Sequence, residues 1–142
     1  MKRFIPLFVF YFMLGCSKTP EPINYGTDAC QHCKMTIVAR THAAQIVTSK
    51  GKQFKFDAIE CMIGFLGNKQ ELKQASNLLI SNFLNPGEMV DAKTGGYVIC
   101  EKIKSPMGAN LTGFASLEQA KTKINDPKAA FYDWEGIFKK LN

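Results

Sequence analysis

The densest chemistry in this sequence lies in Cys30-Gln31-His32-Cys33-Lys34-Met35, which sets two thiols, an imidazole and a thioether side by side. Covalent haem attachment needs C-x-x-C-H, but Lys34 stands where the histidine belongs and His32 lies inside the pair. A thioredoxin-like redox pair sits at a helix N-terminus that lowers the thiol pKa. Here the run Met35-Thr36-Ile37-Val38 is rich in β-branched residues and predicts a strand over Lys34 to Arg40. A structural zinc site calls for a second close cysteine pair, whereas Cys61 and Cys100 stand alone. Residues two apart on a strand share a face, so Cys33 and Met35 are expected to converge on one ion. Soft sulfur donors of this kind favour Cu(I) over harder divalent metals. The motif by itself leaves redox, zinc and copper chemistry open.

Other residues bear on that choice. Met107 falls in Lys104-Ser105-Pro106-Met107-Gly108, a turn in which a methionine can reach over a neighbouring site. Met62 belongs to a helical stripe and is read as core. His32 and His42 are available to close a metal site, although a solvated histidine is the commoner role for each.

The elements that must position these groups follow from periodicity. Ala43 to Thr48 and Gln53 to Phe56 predict two strands joined by the Ser49-Lys50-Gly51-Lys52 turn. Asp57 with Glu60 forms a capping box ahead of the apolar stripe Ile59, Met62, Ile63 and Leu66, which Gly67-Asn68 ends. Lys69 to Gln74 reads as helix or loop, and Leu78 to Leu84 as another strand stopped by Asn85-Pro86-Gly87. Val90 and Tyr97 to Cys100 mark strands around Thr94-Gly95-Gly96. Ser116 and Gln119 form a second capping box before Leu117, Ala120 and Ile124, and an amphipathic segment from Ala130 to Phe138 is expected to cap one half. Phe56 to Glu60 aligns with Phe114 to Glu118 at an offset of 58 residues. The fold class is therefore α+β: two small related ββαβ-like units, at approximately 27–85 and 86–142, packed together because each alone buries too little surface.

The N-terminus places this unit. Lys2 and Arg3 precede an apolar run from Phe4 to Leu14, and Met13-Leu14-Gly15-Cys16 has the pattern of a bacterial lipobox. Residues 1–15 are expected to be a signal peptide and Cys16 the lipidated residue. The run is too short for the ~20 residues of a transmembrane helix. Residues 16–26 carry two prolines and little apolar content, as a flexible tether between lipid and domain would. The folded part is then expected in the cell envelope, facing the periplasm. A charge of +6, from 18 basic and 12 acidic residues spread along the chain, contains no block that would signal nucleic-acid binding. Five cysteines, less the lipidated one, leave an even set of four, which would also suit two disulfides, Cys30–Cys33 and Cys61–Cys100.

Taken together, C-x-x-C-x-M-x-I from Cys30, G-K-x-x-x-F-D-x-x-x-C-M from Gly51 to Met62, V-D-A at Val90 to Ala92, and S-P-M-G followed by G-F-A-S within Ser105 to Ser116 resemble the NosL family. These are the copper-chaperone lipoproteins that accompany nitrous oxide reductase. The similarity runs from about Tyr25 to Trp134. It implies a Cu(I)-binding periplasmic lipoprotein that delivers copper for the copper-sulfide centre of the reductase, working with an ABC-type maturation complex and its periplasmic partner. It also implies Cys33, Met35 and Met107 as copper ligands, with Cys30, His32 and Cys61 as further candidates. The action implied is binding and ligand exchange, not catalysis. The alternatives are a lipid-anchored thiol-disulfide reductase using Cys30 and Cys33, and a structural lipoprotein held by two disulfides.

Overall fold

The computed structural model describes residues 18–75 and 77–142. Cys16 and the signal-peptide reading lie outside the described residues. Ala44–Val47 (β1) is an inner strand of a first antiparallel sheet, buried along its whole length, with Gln53–Phe56 (β2) and Asn77–Ser81 (β3) on either side. Met89–Asp91 (β4) pairs with β3 and completes the order β2-β1-β3-β4. Between β2 and β3 lie Ile59–Leu66 (α1) and Gln70–Ala75 (α2). A second sheet has Gly96–Ile99 (β5) between Leu111–Phe114 (β6) and Ala130–Tyr132 (β7), with Leu117–Lys123 (α3) connecting the last two. Trp134–Leu141 (α4) ends the chain.

The stripe read from the sequence is the buried face of α1: Ile59, Met62, Ile63 and Leu66 are all inaccessible to solvent. Each such side chain contributes about 1.5–3 kcal/mol through removal from water. The two halves share one topology. β1-β2-α1-β3 and β5-β6-α3-β7 both place the first strand at the centre, and β2 and β6 end at Phe56 and Phe114, the positions 58 residues apart. The sheets meet where a Cβ on Gly113 would come within 2.7 Å of Ile80 Cδ1. The last segment divides at Asp133, whose carboxylate accepts from Gly136 N and caps α4. Helix α4 then lays Trp134, Ile137 and Phe138 into the core shared with α1.

Several local expectations give way. Lys34 to Arg40 forms no strand, only a single bridge between Ala29 and Thr36, and Lys34 has φ 67°. The left-handed residue turns the chain and breaks the alternation that would put Cys33 and Met35 on one face. Asp57 does not cap α1. The N-cap is Ala58, without a side-chain bond, because Asp57 and Glu60 are engaged elsewhere. The stretch Leu78 to Leu84 stays a strand only to Ser81. The strands expected around Thr94-Gly95-Gly96 do form, as β4 and β5, and they belong to different sheets. Gly96 is needed for close approach, as a Cβ there would lie 2.4 Å from Leu117 Cα.

The segment read as a tether is held from Thr19 onward. Buried Gln45 donates its Nε2 to Glu21 O at 2.9 Å and to Gln53 Oε1 at 2.8 Å, and Gln53 Nε2 reaches Thr19 O at 3.2 Å. Lys55 Nζ bonds Pro22 O at 2.9 Å and Asp28 Oδ2 at 2.7 Å, and Arg40 lies 4.7 Å over the Tyr25 ring. A buried amide in a central strand needs partners, and the N-terminal segment supplies one. No helix among the described residues is long and apolar enough to cross a membrane.

His42 is buried against Phe83, with Nδ1 2.8 Å from Thr41 Oγ1 and Nε2 without a partner. Burial holds its pKa below the ordinary ~6.5. The unfolded chain therefore takes up this proton first as pH falls, so its contribution to stability is complete above about pH 6.5 and lost as pH drops toward the folded value. The urea midpoint is expected to fall between about pH 7.5 and pH 5, and to fall less in His42→Gln.

Candidate metal centre

The loop that carries the C-x-x-C motif is closed on itself and pinned to β2. Gly26 N bonds Ile37 O, Ile37 N bonds Asp28 O and Cys30 N bonds Met35 O, each at 2.8 Å. At its tip Lys34 N reaches Cys30 O at 3.0 Å, which the left-handed Lys34 makes possible, and Gln31 N bonds Lys55 O at 2.8 Å. The turn thereby aims Cys30 and Cys33 at the junction where β2 runs into α1.

That junction supplies the rest of the site. Asp57 follows the last residue of β2 and Cys61 sits four residues on, in the first turn of α1. One donor atom from each of Cys30, Cys33, Asp57 and Cys61 lies within 4.8 Å of all the others. Cys33 Sγ donates to Asp57 Oδ1 at 3.4 Å, while Oδ2 of this buried carboxylate has no partner. Asp57 takes part in none of the salt bridges among the described residues. Donors bound to one ion at about 2.3 Å stand at most ~4.6 Å apart, so the group needs little movement to close on a metal.

Burial dominates the electrostatics. It pushes the Cys33 thiol above its ordinary range, and pushes Cys61 much further, with the Asp57 carboxylate beside Cys61 adding to the effect. Both thiols are therefore neutral around pH 7. For Cys33 this is the reverse of a redox nucleophile, which depends on a lowered thiol pKa. All four described cysteines are free. Cys100 lies in the second core cluster with its Sγ 3.6 Å from Asp126 Oδ2, so the Cys61–Cys100 pairing does not form.

Met35 and Met107 are large apolar side chains left at the surface, 48% and 44% exposed. Met35 follows the turn that presents Cys33. Met107 sits in a turn closed by Gly108 N to Ser105 O at 3.1 Å, and the Ser105 hydroxyl donates to Glu60 Oε1, next to Cys61. That bond ties the methionine loop to the first turn of α1. His32 is exposed and packs its ring over Gly64, a Cβ on which would meet Nε2 at 3.2 Å. Neither His32 nor His42 joins the four clustered groups. Asp57 was missed as a site residue because an aspartate before an apolar helix reads first as its cap. The signal was the i, i+4 spacing of F-D-x-x-x-C.

Burial also raises the Glu60 pKa, against the opposing effect of the Ser105 hydroxyl, and Oε2 has no partner. Removing that hydroxyl in Ser105→Ala is expected to cost about 1–3 kcal/mol, measured by urea unfolding. Ser105→Thr should recover most of it.

Comparison with known proteins follows the same lines. The crystal structure of the copper chaperone NosL from Shewanella denitrificans superposes with a TM-score of 0.68 at 17% identity, covering 84% of this chain and 95% of that one. The likeness establishes a common fold. A search of curated proteins returned no match. The NosL family model matches residues 23–141, which takes in both sheets and all four helices of the described residues and the clustered thiols: the chain belongs to the NosL family.

Proposed function

We propose that this protein is a Cu(I) chaperone, anchored by lipid on Cys16 and facing the periplasm, that delivers copper for the copper-sulfide centre of nitrous oxide reductase. It is no enzyme: copper is cargo, and no bond is made or broken in a substrate. The observation that carries this reading is the gathering of Cys30, Cys33, Cys61 and Asp57 within 4.8 Å at one strand–helix junction. A cation entering there is the partner that Oδ2 of buried Asp57 lacks. Thiolates with thioethers form a soft donor set that selects Cu(I). Family membership and the fold shared with a copper chaperone support the same reading.

Cys33 is the assigned entry ligand because it is the half-buried thiol of the three, while Cys30 and Cys61 lie deeper. Met35 and Met107, on exposed loops, contribute thioethers that do not titrate and that an incoming ligand can displace first. Transfer is then ligand exchange: a partner's sulfur binds at the exposed side before the thiolates let go. The client is the reductase, reached through an ABC-type maturation complex with its periplasmic partner.

Because Cys33 and Cys61 are protonated in the free protein, binding must release their protons. Raised thiol pKa values make the sign unambiguous: affinity falls as pH falls, by about tenfold per pH unit for each proton released. Competition titration with a Cu(I) chelator is expected to show that slope, a loss of at least ~tenfold in Cys33→Ala, and smaller losses in Met35→Ala and Met107→Ala. Unchanged affinity in all three variants would overturn the assignment. For the client, a strain lacking this protein is expected to make reductase polypeptide deficient in copper. Full copper loading would remove that client while leaving copper binding intact.

A further inference from the structure

The hydrogen bonds of the N-terminal segment bear on how the molecule stands on a membrane. This inference rests on lipidation of Cys16. Residue 19 is already held on the sheet, through Thr19 O and Gln53 Nε2 at 3.2 Å, and the next contacts follow at Glu21 and Pro22. Three residues from Cys16 to Thr19 reach at most about 11 Å in any conformation. A lipid on Cys16 therefore holds the part of the domain near Thr19 at the headgroups.

That part is one end of the first sheet. Gln53 is where β2 leaves the turn carrying Lys50 and Lys52. Lys52 lies 4.8 Å over the Phe54 ring, Phe54 is 5.1 Å from Phe65 at the far end of α1, and Lys69 lies 4.6 Å over Phe65. The end thus presents exposed Lys18, Lys50, Lys52 and Lys69 against the carboxylates of Glu21 and Glu71, with two half-buried aromatic rings between. A net positive rim with aromatic rings suits an anionic headgroup surface. The thiol cluster lies at the opposite end of β2, which spans roughly 13 Å, and at the opposite end of α1.

We propose that the turn between β1 and β2 rests on the lipid headgroups and that the cluster of Cys30, Cys33, Cys61 and Asp57 faces away from the membrane. The short leash keeps this end near the membrane, and the lysine rim turns it down.

The lysines themselves are the probes. Full-length lipidated protein in vesicles of phosphatidylethanolamine and phosphatidylglycerol is treated with a membrane-impermeant amine acetylating reagent, and each site is read by mass spectrometry. The reference is the soluble Cys16→Ser protein lacking residues 1–15. Lys50, Lys52 and Lys69 are expected to react several-fold more slowly on vesicles, while Lys34 and Lys104, beside the cluster and the methionine loop, react as in solution. Inserting ten Gly/Ser residues between Ser17 and Lys18 should weaken the contrast. Even labelling of all five lysines in protein that floats with vesicles, or protection of Lys34 and Lys104, overturns the orientation alone. Absence of a diacylglyceryl mass on Cys16, with no flotation, overturns the lipid reading and the orientation with it.

Discussion

Ionising sulfur in a dry corner of the core is costly, and that cost governs the rest of the molecule. Three thiols and a carboxylate converge where β2 meets α1, yet none of the salt bridges among the described residues reaches Asp57. Burial keeps Cys33 and Cys61 protonated. A site of this kind stays unreactive until a cation supplies the missing charge. The same burial that restrains the thiols couples any cation they bind to the loss of their protons.

Holding such a group together requires rigidity from several directions. The C-x-x-C loop is tied to β2 through Gln31 and Lys55, α1 is locked by a fully buried apolar face, and Ser105 fastens the methionine loop to Glu60. The second half of the chain therefore contributes to the site although none of the four clustered residues comes from it. It supplies the loop with Met107, and its last helix packs beside α1.

Much of this was legible in the sequence. The stripe on α1, the capping of α3 by Ser116 and the repeat at 58 residues are local signals whose physics survives in the folded state. Expectations failed where tertiary demands outweighed local ones. β-Branched residues after Cys33 suggested a strand, but Lys34 turns the chain to aim two thiols inward. Gly96 read only as part of a turn, whereas it is also small because β5 passes against the start of α3. Cys33 and Met107 stood out by motif. Asp57 did not, because its spacing to Cys61 matters only once the helix brings both to the cysteine loop.

The repeated strand–helix junction shows how one design can be assigned two tasks. In the second half, Ser116 accepts from Gln119 N and Gln119 Oε1 accepts from Ala115 N, so the polar side chains satisfy the helix end. In the first half the equivalent positions are Ala58 and Cys61: the cap has no side-chain bond and the polar group has moved to Asp57, facing the thiols. An N-cap typically contributes about 1 kcal/mol. The first junction forgoes that increment for chemistry while its counterpart keeps it, so one copy of the motif serves as anchor and the other as instrument.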